Sequence, residues 1–448
     1  MLISFKVENF RSVRDCVELS MEAINYYKEQ SEQLLEPALP GMSKVKFLRG
    51  AAVYGPNASG KSSFMHALST MRDVVLASSR LSADDELPFQ PYLLSNESRG
   101  KPTRFSVMFV NDGVRYEYGF SYTERLITEE KLSAYPKGRE QVWFTRETVA
   151  LEGDDGDCQS LIHASSYLGV PAALAPLLNG NSLLLSLLAK YPKLAESEKI
   201  RPVYEWFNSG LGFCGFGPNE ADDGDDISVS GDILDGKRGS DYQRAFIQKM
   251  VRKADLGIVG TQVESEPFPA VDSRLLELYQ EIYEVGAPEL LKTVVFEHSA
   301  QEDSVKFDIA DESGGTYRLF MLGGPVAQSL EYGSTLFVDE LDASLHPVLA
   351  CEVVRCFLSP ESNPNGAQLV FTAHNPCLLE DGLLRRDQIW FTEKVDGATK
   401  LYPLSDFKPY KGESRVRGYL KGRYSATPVV LACFGMCNGF WSEDACGA

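Results

Sequence analysis

Apolar and polar residues alternate almost strictly from Leu2 to Phe10, with Leu2, Ile3, Phe5, Val7 and Phe10 on the apolar side, and Asp15–Met21 resumes the alternation after a short turn. A period of two predicts strands, here an antiparallel hairpin laid beside a larger sheet. The same period runs through Thr103–Val110 and Val114–Phe120, and the intervening Asn111-Asp112-Gly113 is a strong hairpin turn signal. Three shorter stretches, Arg49–Tyr54, Ser334–Val338 and Gln368–Ala373, are short and apolar enough for buried strands in a parallel sheet. Behind the first of them, Phe64, Met65, Ala67, Leu68 and Met71 recur at helical spacing.

The texture changes near residue 125. Trp143–Leu151 still reads as strand, but Leu174–Leu188, Arg201–Phe207, Asp241–Lys253 and Ser273–Tyr283 read as helix. Asn219–Asp232 is acidic and nearly devoid of apolar residues, so a loop is expected there. No heptad register persists, which argues against a long coiled coil. Strand and helix signals return from Leu291. The fold class expected is α/β, with antiparallel N-terminal hairpins added to a mixed sheet and a mainly helical insertion interrupting it. The segments are 1–125, the insertion 126–290, 291–428, and a tail 429–448 that fits none of these patterns.

A chain of 448 residues exceeds what one core usually holds. Its net charge of −19 opposes non-specific nucleic-acid binding, which needs Lys and Arg to displace phosphate counterions, while leaving room for a local basic groove. The nine cysteines form no C-x-x-C pair, and the i,i+4 pair Cys433 and Cys437 has no third ligand in view, so reduced thiols in a cytoplasmic protein are expected. The opening residues lack a signal peptide's apolar run and no stretch reaches the roughly 18 apolar residues of a membrane span.

Four motifs carry chemistry. Gly55-Pro56-Asn57-Ala58-Ser59-Gly60-Lys61-Ser62, followed by Ser63, fits G-x-x-x-x-G-K-[ST] between a strand and a helix. In that loop backbone N–H groups cradle phosphates, the Lys reaches the β/γ oxygens and the hydroxyl meets Mg²⁺, with the helix dipole favouring the anion. Ser313-Gly314-Gly315-Thr316 opens a second apolar helix, expected to run to about Leu330 unless Gly323-Gly324-Pro325 ends or kinks it sooner, and offers another set of N-terminal donors. Asp339-Glu340 terminates a buried strand, where one carboxylate can enter a Mg²⁺ shell and the other can polarise water. His374 ends the third buried strand, within reach of a γ-phosphate or its attacking water.

In this order the motifs resemble the nucleotide-binding domain of ABC-type ATPases, in the branch of the SMC-like repair proteins, RecF and the OLD family. Gly55–Ser62 resembles Walker A, Ser313–Thr316 the signature, Thr335–Glu340 Walker B, Leu341–His346 the D-loop and His374 the switch histidine. Val7-Glu8-Asn9-Phe10-Arg11-Ser12 resembles that branch's first strands. Glu312-Ser313, Asp339–Pro347, Thr372-Ala373-His374-Asn375 and Tyr419–Tyr424 are similar to the stand-alone AAA-family ATPases of the AbiL/RloA type. That resemblance, carried by 1–125 and 291–428, implies Mg²⁺-dependent ATP hydrolysis, ATP sandwiched in a homodimer with the signature acting in trans, a nuclease-like or toxin effector partner, and a place in antiviral abortive infection. It assigns Ser62, Asp339 and, from its position after the first helix, Gln90 to the metal, with Glu340, His374 and Lys61 catalytic. The rival readings are an SMC/RecF-like DNA-repair ATPase, which the acidic charge and missing coiled-coil arms disfavour, and an OLD-type nuclease, for which no appended metal domain is expected after Pro428.

Overall fold

The computed structural model describes residues 1–150, 158–170, 174, 178–191, 197–215, 223–254, 257–267, 290–300, 303–380, 382–408 and 412–426. The N-terminal half contributes β1 (Leu2–Glu8), β2 (Val17–Ser20), the two-residue strands β3 (Leu34–Leu35) and β4 (Phe47–Leu48), β5 (Gly50–Tyr54) and helix α1 (Lys61–Ala77). A short α2 (Asn96–Arg99) precedes β6 (Thr103–Asn111), β7 (Val114–Tyr122), β8 (Ile127–Ala134), β9 (Gln141–Ala150) and β10 (Cys158–Ala164). The middle continues with α3 (Leu184–Lys190), α4 (Arg201–Ser209), β11 (Leu211–Cys214), α5 (Asp223–Leu234), α6 (Asp241–Ala254), β12 (Ile258–Pro267), β13 (Leu290–Ser299) and β14 (Ser304–Asp308). Helix α7 (Gly314–Tyr332), β15 (Thr335–Val338), α8 (Pro347–Leu358), β16 (Gln368–Ala373), β17 (Ile389–Val395), β18 (Ala398–Pro403) and α9 (Arg415–Leu420) follow.

Two large sheets organise these elements. One has seven strands in the order β10-β9-β8-β7-β6-β1-β2, all neighbours antiparallel. Its β6–β7 hairpin turns at Asp112 and Gly113, both at positive φ (48° and 72°), as the sequence pattern requires. The other has the order β11-β15-β16-β5-β17-β18 and is parallel apart from the β17–β18 hairpin. Strand β5 is apolar on both faces because both are covered: Ala51 and Val53 enter a core shared with α1 and the seven-stranded sheet, while Ala52 and Tyr54 enter a second core with α7 and α8. The buried Gln368 side chain ties the sheets together, accepting from Leu2 N–H at 2.6 Å and donating to the Leu2 and Leu48 carbonyls. The result is the mixed α/β architecture expected, with β5 inside its parallel sheet between β16 and β17 and the phosphate-loop motif at its C-terminal end.

Residues 126–290 are more mixed than their helical texture suggests. Among the described residues they supply five strands as well as four helices: β8, β9 and β10 extend the antiparallel sheet, and β11 joins the parallel one. The acidic stretch expected as a loop is helical from Asp223, and that helix packs on α7. The predicted Ser273–Tyr283 helix and the tail after Pro428 lie outside the described residues. Helix α7 runs through Gly323-Gly324-Pro325 to Tyr332, close to the expected end near Leu330.

Candidate functional site

Tight packing around its two glycines fixes the loop between β5 and α1. Gly60 has φ +104°, and a Cβ there would lie 2.0 Å from Thr399 Oγ1 and 2.7 Å from Ser12 Oγ; at Gly55 it would lie 2.2 Å from Thr392 Oγ1. Only a residue without a side chain fits either place. Hydroxyls then lock the loop from behind. Thr399 donates to the Ser59 carbonyl at 2.9 Å, Ser12 Oγ meets Thr399 Oγ1 at 2.8 Å, and Ser59 Oγ meets Thr392 Oγ1 at 2.6 Å. Ala58 takes a left-handed φ of 62° inside this frame.

Lys61, the first residue of α1, is 6% exposed and donates to the carbonyls of Gly55 (2.9 Å) and Pro56 (3.2 Å). Burial pushes its ammonium pKa down, while the carboxylates of Asp339, Glu340 and Asp342 push it back up. The loop opens on a cavity of about 300 Å³ lined by Ser12, Asn57, Ala58, Ser59, Gly60, Lys61, Ser62, Ser63, Glu340 and His374. Residues from opposite ends of the chain thus meet at one helix N-terminus, where the free N–H groups and the dipole favour an anion.

The acids stand at the tip of β15. Asp339 is 6% exposed, and Thr372 at the end of the neighbouring β16 donates to its Oδ1 at 2.5 Å. The same hydroxyl accepts from Glu340 N–H at 2.7 Å, and Glu340 turns outward with φ +50°. Its carboxylate, more than half exposed, lies 3.9 Å from His374 Nε2. Asp342 accepts the N–H groups of His374 (2.9 Å) and Asn375 (2.5 Å), so the loops after β15 and β16 are joined. Tyr54 donates to the Asn375 carbonyl at 3.1 Å and packs on Tyr419, which with Tyr424 and Phe391 forms an aromatic stack behind β17. The Tyr419–Tyr424 motif therefore supports the sheet from behind.

The other expected residues lie elsewhere. Ser313 caps α7, its Oγ accepting from Thr316 N–H at 3.1 Å, and Gly315 packs toward the Ser344 carbonyl, whereas a Cβ on Gly314 would meet nothing within 4 Å. None of Ser313, Gly314, Gly315 and Thr316 is among the residues lining the cavity. Arg318, one turn on, donates to the Asp339 carbonyl at 2.9 Å and to that of Glu340 at 3.3 Å, tying this helix to the acidic strand tip of its own chain. Gln90 is not among the lining residues either; its side chain and its carbonyl both accept from Arg11, next to Ser12. Ser12, Arg318, Thr372, Thr392 and Thr399 take part without having been singled out as site residues. Thr372 adjoins the histidine motif, but Thr392 and Thr399 sit in a hairpin that carries no motif.

Among the described residues no group of three His, Cys, Asp or Glu side chains is placed to hold a metal ion, and no helix is long and apolar enough to cross a membrane. A single buried carboxylate beside a hydroxyl instead suits a cation shared with phosphate oxygens.

Among solved structures, one described as "Crystal structure of the SmcHead bound to the C-winged helix domain of ScpA" is 14% identical, with 91% of this chain and 99% of that chain covered and a TM-score of 0.41. The SMC head domain from Thermotoga maritima is 11% identical, with 90% and 98% covered and a TM-score of 0.36. These scores are too low to add to the fold described above. No curated protein matches the chain. A family model described as "AAA domain, putative AbiEii toxin, Type IV TA system" matches residues 51–158 and 206–380, from the phosphate-loop strand past His374. With well over half of its length matched and the phosphate loop, acidic strand tip and histidine brought to one cavity, the chain belongs to this AAA-domain family.

Proposed function

We propose that the chain binds ATP with Mg²⁺ in the cavity at the head of α1 and hydrolyses it as an ATP-driven homodimer, the signature of each copy completing the site of the other. The observation that carries this reading is the split of the site: one cavity gathers the phosphate loop, Glu340 and His374 and leaves Ser313–Thr316 outside, with Gly314 facing open space. The residues fit the ligand, because the glycine cradle would be filled by any Cβ and Lys61 is directed across it. Bound there, MgATP supplies the scissile phosphoanhydride and a cation that offsets its charge. Lys61 would exchange the Gly55 and Pro56 carbonyls for phosphate oxygens. Ser62 and Asp339 would hold the metal, with Thr372 fixing the carboxylate. Glu340 would orient water and accept its proton, and His374, 3.9 Å away, would contact the γ-phosphate. The partner's helix N-terminus would add donors only on closure, which makes dimerisation the switch.

The cycle is proposed to serve antiviral abortive infection by holding or releasing a toxin- or nuclease-like effector. The family description, which names a toxin and a type IV TA system, supports this reading, as does the resemblance to AbiL/RloA-type ATPases. The test of the shared site mixes two inactive variants. Ser313→Arg puts a cation at the start of α7, opposing its dipole, and Lys61→Ala removes the phosphate contact. Each alone should lose turnover; mixed, they leave one composite site with intact halves, and partial recovery is expected. Mixed dimers that stay inactive would sink the trans arrangement.

A further inference from the structure

Helix α7 contains a defect and a plug. Pro325 has no N–H, so the Met321 carbonyl one turn earlier lacks its ladder partner, and the ring crowds that carbonyl. Into this turn α5 inserts Ser230, fully buried, whose hydroxyl donates to the Phe320 carbonyl at 2.8 Å, lies 3.4 Å from that of Met321, and accepts from Gly324 N–H at 2.9 Å. The approach depends on glycine. A Cβ at Gly324 would lie 2.8 Å from Ser230 Oγ and 3.0 Å from its backbone nitrogen, and one at Gly323 would press on Ile247 and Met250 of α6.

The defect divides α7 into two arms. The C-terminal arm is fixed: Val326, Ala327 and Leu330 are buried, and Glu331 accepts from Ser240 at 2.8 Å and Gln243 at 2.6 Å. The N-terminal arm carries Ser313–Thr316 at its tip, Arg318 on the carbonyls of Asp339 and Glu340, and Phe320 in a core formed with α5, α6, β12 and β13. Ser230 thus reaches α7 where a small rotation swings the signature and the acid-holding arginine together.

We propose that Ser230 is a positioning residue for ATP turnover: helix α5 of the insertion sets the angle of the signature arm through this hydroxyl, so that displacement of α5 by a partner changes hydrolysis with the phosphate loop untouched. The inference rests on the reading that Ser313–Thr316 complete an ATP site.

The experiment is a double-mutant cycle on the full chain. Pro325→Ala restores an N–H to the Met321 carbonyl and removes the ring that crowds it, so that the turn can close, Gly324 N–H can reach the Phe320 carbonyl directly and the plug is no longer needed. Without nucleotide, Ser230→Ala should speed amide exchange across 317–324 about tenfold, the loss of roughly one hydrogen bond, and should have little effect when Pro325 is Ala. In the ATPase assay Ser230→Ala should lower kcat about three- to tenfold with KM within about twofold, and Ser230→Ala/Pro325→Ala should recover the rate of Pro325→Ala. Gly324→Ala, which pushes α5 away while keeping the hydroxyl, should reproduce the kcat loss. Equal losses in both backgrounds, unchanged exchange, or exchange raised evenly over the whole chain would overturn the proposal. Turnover that survives Lys61→Ala would instead defeat the reading of the ATP site, and the exchange cycle would still judge Ser230.

Discussion

Replacing Thr372 by Val tests how the acidic strand tip is held. The change keeps the branched shape and removes one hydroxyl that is wholly buried and bonded on both sides, to Asp339 Oδ1 at 2.5 Å and from Glu340 N–H at 2.7 Å. Losing the bond to the carboxylate costs about 1.5–3 kcal/mol, and leaving the Glu340 N–H short of an acceptor adds about 1 kcal/mol. Burying a methyl group in place of the hydroxyl returns about 1 kcal/mol. The net loss, about 1.5–3 kcal/mol, should lower the melting temperature by roughly 2–3 °C in a chain of this size. Turnover should fall further than stability, about 10- to 100-fold, because Glu340 sits in a left-handed conformation that this bond helps hold. Thr372→Ser is the control: it keeps both bonds and loses a methyl group, costing about 1 kcal/mol while retaining the rate. Differential scanning fluorimetry and steady-state ATPase on the two proteins decide the matter. Should Val and Ser variants melt together and turn over equally, the hydroxyl is not what fixes the carboxylates.

Three further outcomes are expected. Lys61→Ala should abolish ATP binding in a fluorescent-nucleotide titration, whereas Glu340→Gln should bind normally and not hydrolyse. Gly60→Ala, whose Cβ would sit 2.0 Å from Thr399 Oγ1 at φ +104°, should destroy nucleotide binding; Gly314→Ala, which meets nothing in its own chain, should leave the melting temperature unchanged or raise stability by about 0.5 kcal/mol yet suppress turnover in the dimer. Asp15 is held down at about 2 from an ordinary 3.8 by hydrogen bonds from Arg14 and Lys400, so its contribution is present above pH 3.8 and lost as pH falls toward 2. With its side chain 47% exposed the effect is screened to about 0.5 kcal/mol, and urea titrations of Lys400→Met should differ from wild type above pH 4 and converge with it near pH 2.

The features legible in the sequence were those that short-range chemistry dictates. The phosphate loop, the Asp-Gly hairpin, the apolar stripe of α1 and the acids closing β15 each declare themselves within about ten residues. What escaped notice is set by pairing between distant segments. Thr392 and Thr399 matter because β17 lies against β5 and the β17–β18 hairpin brings both hydroxyls under the loop, and nothing near them in sequence says so. Ser12 lies in the first strand motif, but its role depends on Thr399, 387 positions away. The acidic stretch differs from its expectation for the complementary reason. Composition speaks for a solvated loop, but a helix can be stabilised by its packing, here against Gly324 of α7. The same contact lets α7 pass through Pro325, a residue that local rules treat as a stop.

The placement of β5 also governs how the protein can be made. This strand pairs through Gly50–Tyr54 with Leu369–Ala373 on one side and through Ala52–Tyr54 with Ile389–Phe391 on the other. Both partners emerge from the ribosome more than 300 residues later, roughly 15–60 s at ordinary elongation rates. Through that interval β5 has two unsatisfied edges and an apolar surface, while the antiparallel strands β6 and β7 can already close their hairpin. The phosphate loop lacks its threonine supports over the same period, so nascent chains should not capture nucleotide until synthesis has passed residue 399. A chain halted short of that point would present an unpaired strand to its neighbours, making premature termination an aggregation hazard as well as a loss of activity.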